Sequence, residues 1–162
     1  MSTYRNKIYD IAVETFEVAC FMFPLKEQEK EAQELKCPED GIQSLIGFEG
    51  AVEGRMIVNP SADLLSAMAA NMLGVEDPDQ EQKLSALSEI ANIICGNSVP
   101  LFTKDDNICY IQPPQILKEG EHFDRTDQNM STVSLQVLLD EGVVGIEVFY
   151  SKKENDDKSI SC

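Results

Sequence analysis

Apolar residues recur at helical spacing over positions 3–23, where Ile8, Ile11, Ala12, Thr15, Phe16, Ala19 and Met22 share one side and Pro24 marks the expected end. The next stretch, 24–40, is mostly charged and reads as a solvated helix or connection. The pattern then shifts. Residues 42–50 and 54–59 read as paired strands around a tight turn, with Gly54 expected to lend the turn backbone freedom. Pro60-Ser61 opens a second helix over "ADLLSAMAANMLG", with Ser61 as N-cap and Gly74 as C-terminal stop. "VEDPDQ" is a linker with cap chemistry. A third helix is predicted from about Gln80 to about Leu101, with Pro100 marking a kink or stop.

The last third reads as sheet. Residues 107–117 are extended, and Pro113-Pro114 suit an edge or a bend. Residues 120–130 are polar loop. Residues 131–139 and 143–150 form a hairpin around Asp140-Glu141-Gly142. Its second arm sets Val144, Ile146, Val148 and Tyr150 on one face, with Gly145, Glu147 and Phe149 on the other. The order of helix, two strands, two helices and three strands predicts an α+β fold, a mainly antiparallel sheet covered by helices. One domain is expected over residues 1–150, followed by a flexible, charged tail over 151–162.

Composition narrows the function. With 162 residues, 43% of them hydrophobic, the chain can bury a core without metal or disulfide staples. Thirteen basic residues against 29 acidic ones leave a formal net charge of -16, which repels nucleic-acid phosphates and anionic lipids. No run approaches the roughly 20 apolar residues of a membrane span. "MSTYRNKIYD" lacks the apolar region of a secretion signal, so a cytoplasmic setting is expected. Cys20, Cys37, Cys95, Cys109 and Cys162 are odd in number and form no C-x-x-C pair, which argues against a disulfide framework or a zinc site. Cys20, Cys95 and Cys109 read as buried thiols, and Met56, Met68, Met72 and Met130 as core. His122 reads as a surface residue, and Asp105-Asp106 as turn chemistry. No metal set is expected in this chain.

The third helix differs from the others. On a wheel at about 100° per residue, Ala86, Leu87, Ile90, Ala91, Ile93, Ile94 and Cys95 sweep about 200°. The remaining ridge is Ser85, Glu89, Asn92 and Gly96, within about 60° of one another. Its small residues would let a second protein approach closely, with one carboxylate and one carboxamide projecting together. Asn is a mediocre helix former and mid-helix it invites an explanation. By itself, E-x-x-N on an exposed helix face is commonplace.

The string around it is less so. "SALSEIANIICGN", residues 85–97, resembles the signature of the CheC/CheX/FliY chemotaxis phosphatases: Asp or Ser, three residues, Glu, two residues, Asn. Here these are Ser85, Glu89 and Asn92, followed by Gly96-Asn97. "IGFEGAVEGRMIV" and "NPSADLLSAMAANMLG" are similar to the segments that precede it in the family, and the resemblance spans roughly residues 40–150. The first helix offers Glu14-Thr15-Phe16-Glu17, with Glu where a second site would need Asn, so the chain resembles the single-site CheX pattern more closely than the two-site one.

The resemblance implies a CheC-like or CheX-like fold. It also implies a phosphatase acting on the aspartyl phosphate of a CheY-like response regulator, in chemotaxis or another two-component pathway. Asn92 would position the attacking water and Glu89 would pair with the receiver's lysine. Ser85 would touch the partner or merely keep the ridge small, and Gly96 would admit the partner's surface. No cofactor is expected on this chain, Mg2+ is expected on the receiver, and a homodimer is implied. The alternative is a non-catalytic receiver-binding or flagellar-switch adaptor module.

Overall fold

The structure is a computed structural model describing residues 2–25, 41–103, 108–118, 120, 121, 123 and 129–152. Six antiparallel strands form one sheet: β1 (Gln43–Gly50), β2 (Val52–Pro60), β3 (Cys109–Ile111), β4 (Gln115–Leu117), β5 (Ser131–Leu139) and β6 (Gly142–Lys152). Their order is β3-β1-β2-β6-β5, with β4 also on β1. Helices α1 (Ser2–Cys20), α2 (Ala62–Leu73) and α3 (Gln80–Ser98) complete the α+β architecture. A single-turn 3-10 helix (Val99–Phe102) follows α3 and contains Pro100. The predicted third helix therefore keeps α-geometry only to Ser98, because Pro100 has no N–H to continue the ladder.

Alternation along the strands builds the core. Val144, Ile146 and Val148 of β6 face the helices with Ile46 of β1, and Met56 and Val58 of β2, all fully buried. Ile8 and Phe16 of α1, Leu64 and Met68 of α2, and Leu87, Ile90 and Ile94 of α3 close over them. α3 packs against α1, α2 and β1, while α1 also packs against β5. On the other face Glu53 and Arg55 are exposed. Phe149 is buried there beside Phe123, with ring centroids 5.7 Å apart, and the Arg55 guanidinium lies 4.9 Å from the Phe123 centroid. Met130 joins this outer surface and is only half-buried, so it is not a core methionine as its sequence suggested; Met56 and Met68 are.

Four further expectations need correction. First, α1 ends at Cys20 rather than continuing to residue 23. Phe21 takes a left-handed φ of 56°, Asn71 Nδ2 donates to the Cys20 carbonyl at 2.8 Å, and the chain becomes extended. Pro24 bridges to Leu139, and the Leu25 N–H donates to the Leu138 carbonyl at 2.9 Å. These residues cover the open edge of β5, a tertiary gain that helical periodicity cannot reveal. Second, residues 107–117 are not one strand. Gln112 keeps a ladder bond to the Gly47 carbonyl at 2.8 Å, but Pro113 and Pro114 have no N–H, so pairing with β1 breaks and resumes as β4.

Third, Gly54 lies inside β2, opposite Phe48 and Tyr150, rather than serving the turn. A Cβ there would strike the Phe149 carbonyl oxygen and the Phe48 ring, so close packing requires the glycine; the turn's freedom comes from Gly50, with a φ of 136°. Fourth, β6 runs on to Lys152, past the strand end expected at 150. The stretch 26–40, Asp105-Asp106, His122 and the tail from 153 onward lie outside the described residues.

Candidate functional site

The site begins with the way α3 starts. Asp79 is the N-cap and forms a capping box with Gln82: the Gln82 N–H donates to Asp79 Oδ1 at 2.8 Å, and the Asp79 N–H donates to Gln82 Oε1 at 2.9 Å. α2 is capped as expected, by the Ser61 hydroxyl and by Gly74 with a φ of 69°. The loop between the helices is thus closed at both ends, and the register of α3 is set. That register buries Ala86, Leu87, Ile90, Ala91, Ile94, Cys95 and Ser98. Ile93, expected to be covered, is half-buried and walls a second groove beside α1.

Ser85, Glu89 and Asn92 are all exposed, and they line one open groove of about 380 Å³. Its other walls include Leu84, Ser88 and Pro114. Neither Glu89 nor Asn92 makes a hydrogen bond or ion pair with another described residue, so both end groups face outward. Gly96 is half-buried further along the ridge and outside this groove. Among the described residues a Cβ at Gly96 would meet only Ile111 Cδ1, at 3.9 Å, so none of them requires a glycine there.

Sequence reasoning missed Ser88, Glu81 and Pro114 as walls. Ser88 and Glu81 flank the ridge at helical spacing and could have been read from the wheel. Pro114 arrives from the broken edge strand, and only the sheet brings it to α3.

Among the described residues the groove carries two carboxylates, Glu81 and Glu89, and no basic wall. A free phosphate ester would be repelled there, whereas a partner bringing its own cations would not. Among the described residues no group of three or more His, Cys, Asp or Glu side chains could hold a metal ion. The three described thiols, Cys20, Cys95 and Cys109, are unsuited to nucleophilic chemistry. Burial pushes Cys20 and Cys95 up to about 12, with nearby Cys109 adding to the effect on Cys95. Cys109 is half-buried, donates to the Val52 carbonyl at 3.1 Å, and is also raised, chiefly by burial. No helix among the described residues is long and apolar enough to cross a membrane.

A family model described as chemotaxis phosphatase CheX matches residues 42–137, which include the second and third helices and the ridge. Among curated proteins, none matches the chain in sequence. Solved structures share its fold. The chemotaxis protein CheX from Vibrio vulnificus is 19% identical with a TM-score of 0.70, covering 91% of this chain and 96% of that one. The CheX from Desulfovibrio desulfuricans is 13% identical with a TM-score of 0.71, covering 92% and 99%. A chain of the CheX–CheY–BeF3–Mg2+ complex from Borrelia burgdorferi is 17% identical with a TM-score of 0.66, covering 90% and 97%. With the family match spanning more than half of its residues, the chain belongs to the CheX family of chemotaxis proteins.

Proposed function

We propose that this chain docks on a phosphorylated CheY-like receiver domain and hydrolyses its aspartyl phosphate, with Asn92 holding the attacking water and Glu89 pairing with the receiver's active-site lysine. The observation that carries this reading is the pair itself. One carboxamide and one carboxylate stand three residues apart on an exposed ridge, share a groove, and bond to no described neighbour. Membership of the CheX family supports it, as does the Borrelia relative, whose complex contains CheY, Mg2+ and BeF3, a chemical mimic of a phosphoryl group.

Phosphoryl transfer to water has a loose transition state, so catalysis rests on positioning and on charge. A carboxamide donates one hydrogen bond and accepts another, and so can hold a water in line with phosphorus. A carboxylate at position 92 would repel the phosphoryl oxygens. Glu89 is tolerated one turn away because the receiver's lysine offsets it, and Mg2+ on the receiver would neutralise phosphoryl charge. No general base from this chain is required. Ser85 would touch the partner at the groove's edge, and Gly96 would let its surface approach the helix.

The test is phosphate release from CheY-like receivers phosphorylated with phosphoramidate. The wild type should accelerate release from at least one receiver. Asn92→Ala should lose about 10²–10³-fold of that acceleration, the usual scale for one positioned polar group. A receiver that binds the wild type with no gain in phosphate release would instead assign the chain to the adaptors. Equal rates for Asn92→Ala and wild type would remove the mechanism.

A further inference from the structure

We infer that the partner docked on Glu89 and Asn92 also seats an apolar side chain in the groove between α1 and α3, making Val18 and Glu14 determinants of partner affinity. This inference rests on the proposed function.

The groove has a volume of about 400 Å³, and Ile11, Val18 and Ala19 of α1 face Ile93 of α3 across it. It is continuous with the ridge, since Ile93 directly follows Asn92 and the groove's Asn97 directly follows Gly96. Successive helical residues are about 100° apart, so this wall begins where the ridge ends.

Size makes the overlap unavoidable. A stable protein–protein contact buries about 800 Å² per partner, a disc of about 16 Å radius. Packed helices lie about 8–10 Å apart. A body centred on Glu89 and Asn92 therefore reaches α1, which packs directly against α3.

The surface it meets is apolar where it should be solvated. Val18 is 73% exposed, the most exposed of the large hydrophobic side chains among the described residues. The two uncharged polar residues of the groove turn back on their own helices. Thr15 Oγ1 donates to the Ile11 carbonyl at 2.7 Å, and Asn97 Nδ2 donates to the Ile93 carbonyl at 3.0 Å. The Thr15 hydroxyl proton and one Asn97 N–H are thereby used internally, so the groove presents mostly hydrocarbon, with the rest of the exposed Asn97 amide at one end and one carboxylate, Glu14. The matching element on the receiver is a branched or aromatic side chain beside a lysine or arginine. This also gives α1 a role despite Glu17 standing where a second catalytic Asn would be needed.

The experiment uses the full chain and the phosphorylated receiver on which the wild type is active, and reads kcat and KM separately. Val18→Glu places a charge where hydrocarbon should dock, and should raise KM about tenfold or more with kcat within about twofold. Glu14→Lys should raise KM in the same direction. Asn92→Ala should do the opposite, lowering kcat with little change in KM. Both α1 positions are exposed, so thermal midpoints should stay at the wild-type value. An unchanged KM in Val18→Glu, with Asn92→Ala still inactive, would overturn this inference and leave the proposed function standing. If the wild type turns over no receiver, both fall. Light scattering supplies a separate check: a wild-type dimer that Val18→Glu converts to a monomer would assign the groove to a second copy and overturn the inference.

Discussion

Asp79 and Gln82 clasp each other at the start of α3, each backbone N–H donating to the other's side-chain oxygen at 2.8 and 2.9 Å. Two of the helix's otherwise unpaired donors are satisfied by this exchange, and the first turn carries Glu81 at the lip of the groove. Asp79→Ala should lower stability by about 1 kcal/mol, read as a shift in the urea midpoint at constant slope. Because Asp79 is exposed, the loss has no packing component, and a midpoint equal to wild type would show that the box is not formed in solution.

Glu89 is exposed, and its described neighbours in the groove contribute no cation. Replacing it should therefore leave the fold alone and act on docking. Glu89→Ala is expected to weaken binding of a beryllofluoride-activated receiver about tenfold, or about 1.4 kcal/mol, by fluorescence anisotropy. Glu89→Lys should weaken it further, because two ammonium groups would then face each other. Wild-type affinity in both variants would rule out the pairing with a receiver lysine.

Gly96 separates folding from function. Among the described residues only Ile111 Cδ1, at an ordinary 3.9 Å, would meet a Cβ there, and glycine inside a helix costs about 0.5–1 kcal/mol relative to alanine. Gly96→Ala should thus raise the unfolding midpoint. A longer side chain, as in Gly96→Gln, should keep the helix, by circular dichroism, while lowering receiver affinity through exclusion of the partner's surface. Full affinity in Gly96→Gln would show that the docked partner does not approach this part of α3.

The buried thiols predict a pH dependence. Cys20 and Cys95 ionise near their ordinary value of 9.0 once unfolded, but are pushed up to about 12 by burial in the folded chain. Between those values the unfolded state holds fewer protons than the native one. The stability contributed by these thiols is therefore fully present below pH 9 and is lost as pH rises toward 12. Urea midpoints should fall across that window, and Cys95→Ala should fall less steeply than wild type. Parallel slopes would mean that Cys95 is not shielded as the core places it.

Much of this protein could be read from residue order alone. Ser61, Gly74 and Asp79 mark helix ends because capping is local chemistry, set by side chains within a few residues of the turn they close. The ridge of Ser85, Glu89 and Asn92 was legible for a related reason. Helical geometry assigns faces by spacing, and the residues opposite them are too apolar to face water. Glu89 and Asn92 were therefore bound to stand together wherever the helix went.

What lies around them depended on contacts distant in sequence. Pro114 reaches the groove only because β1 accepts β3 and β4 on either side of a break. Residues 21–23 leave their helical pattern so that Pro24 and Leu25 cover the edge of β5, and Gly54 is held by the approach of Phe149 from β6. Val18 and Ile93 face each other across a groove because α1 happens to pack beside α3. Local order decides which way a side chain points from its own helix. Sheet pairing and helix packing decide its neighbours, because those energies come from surfaces that meet only after the chain has folded.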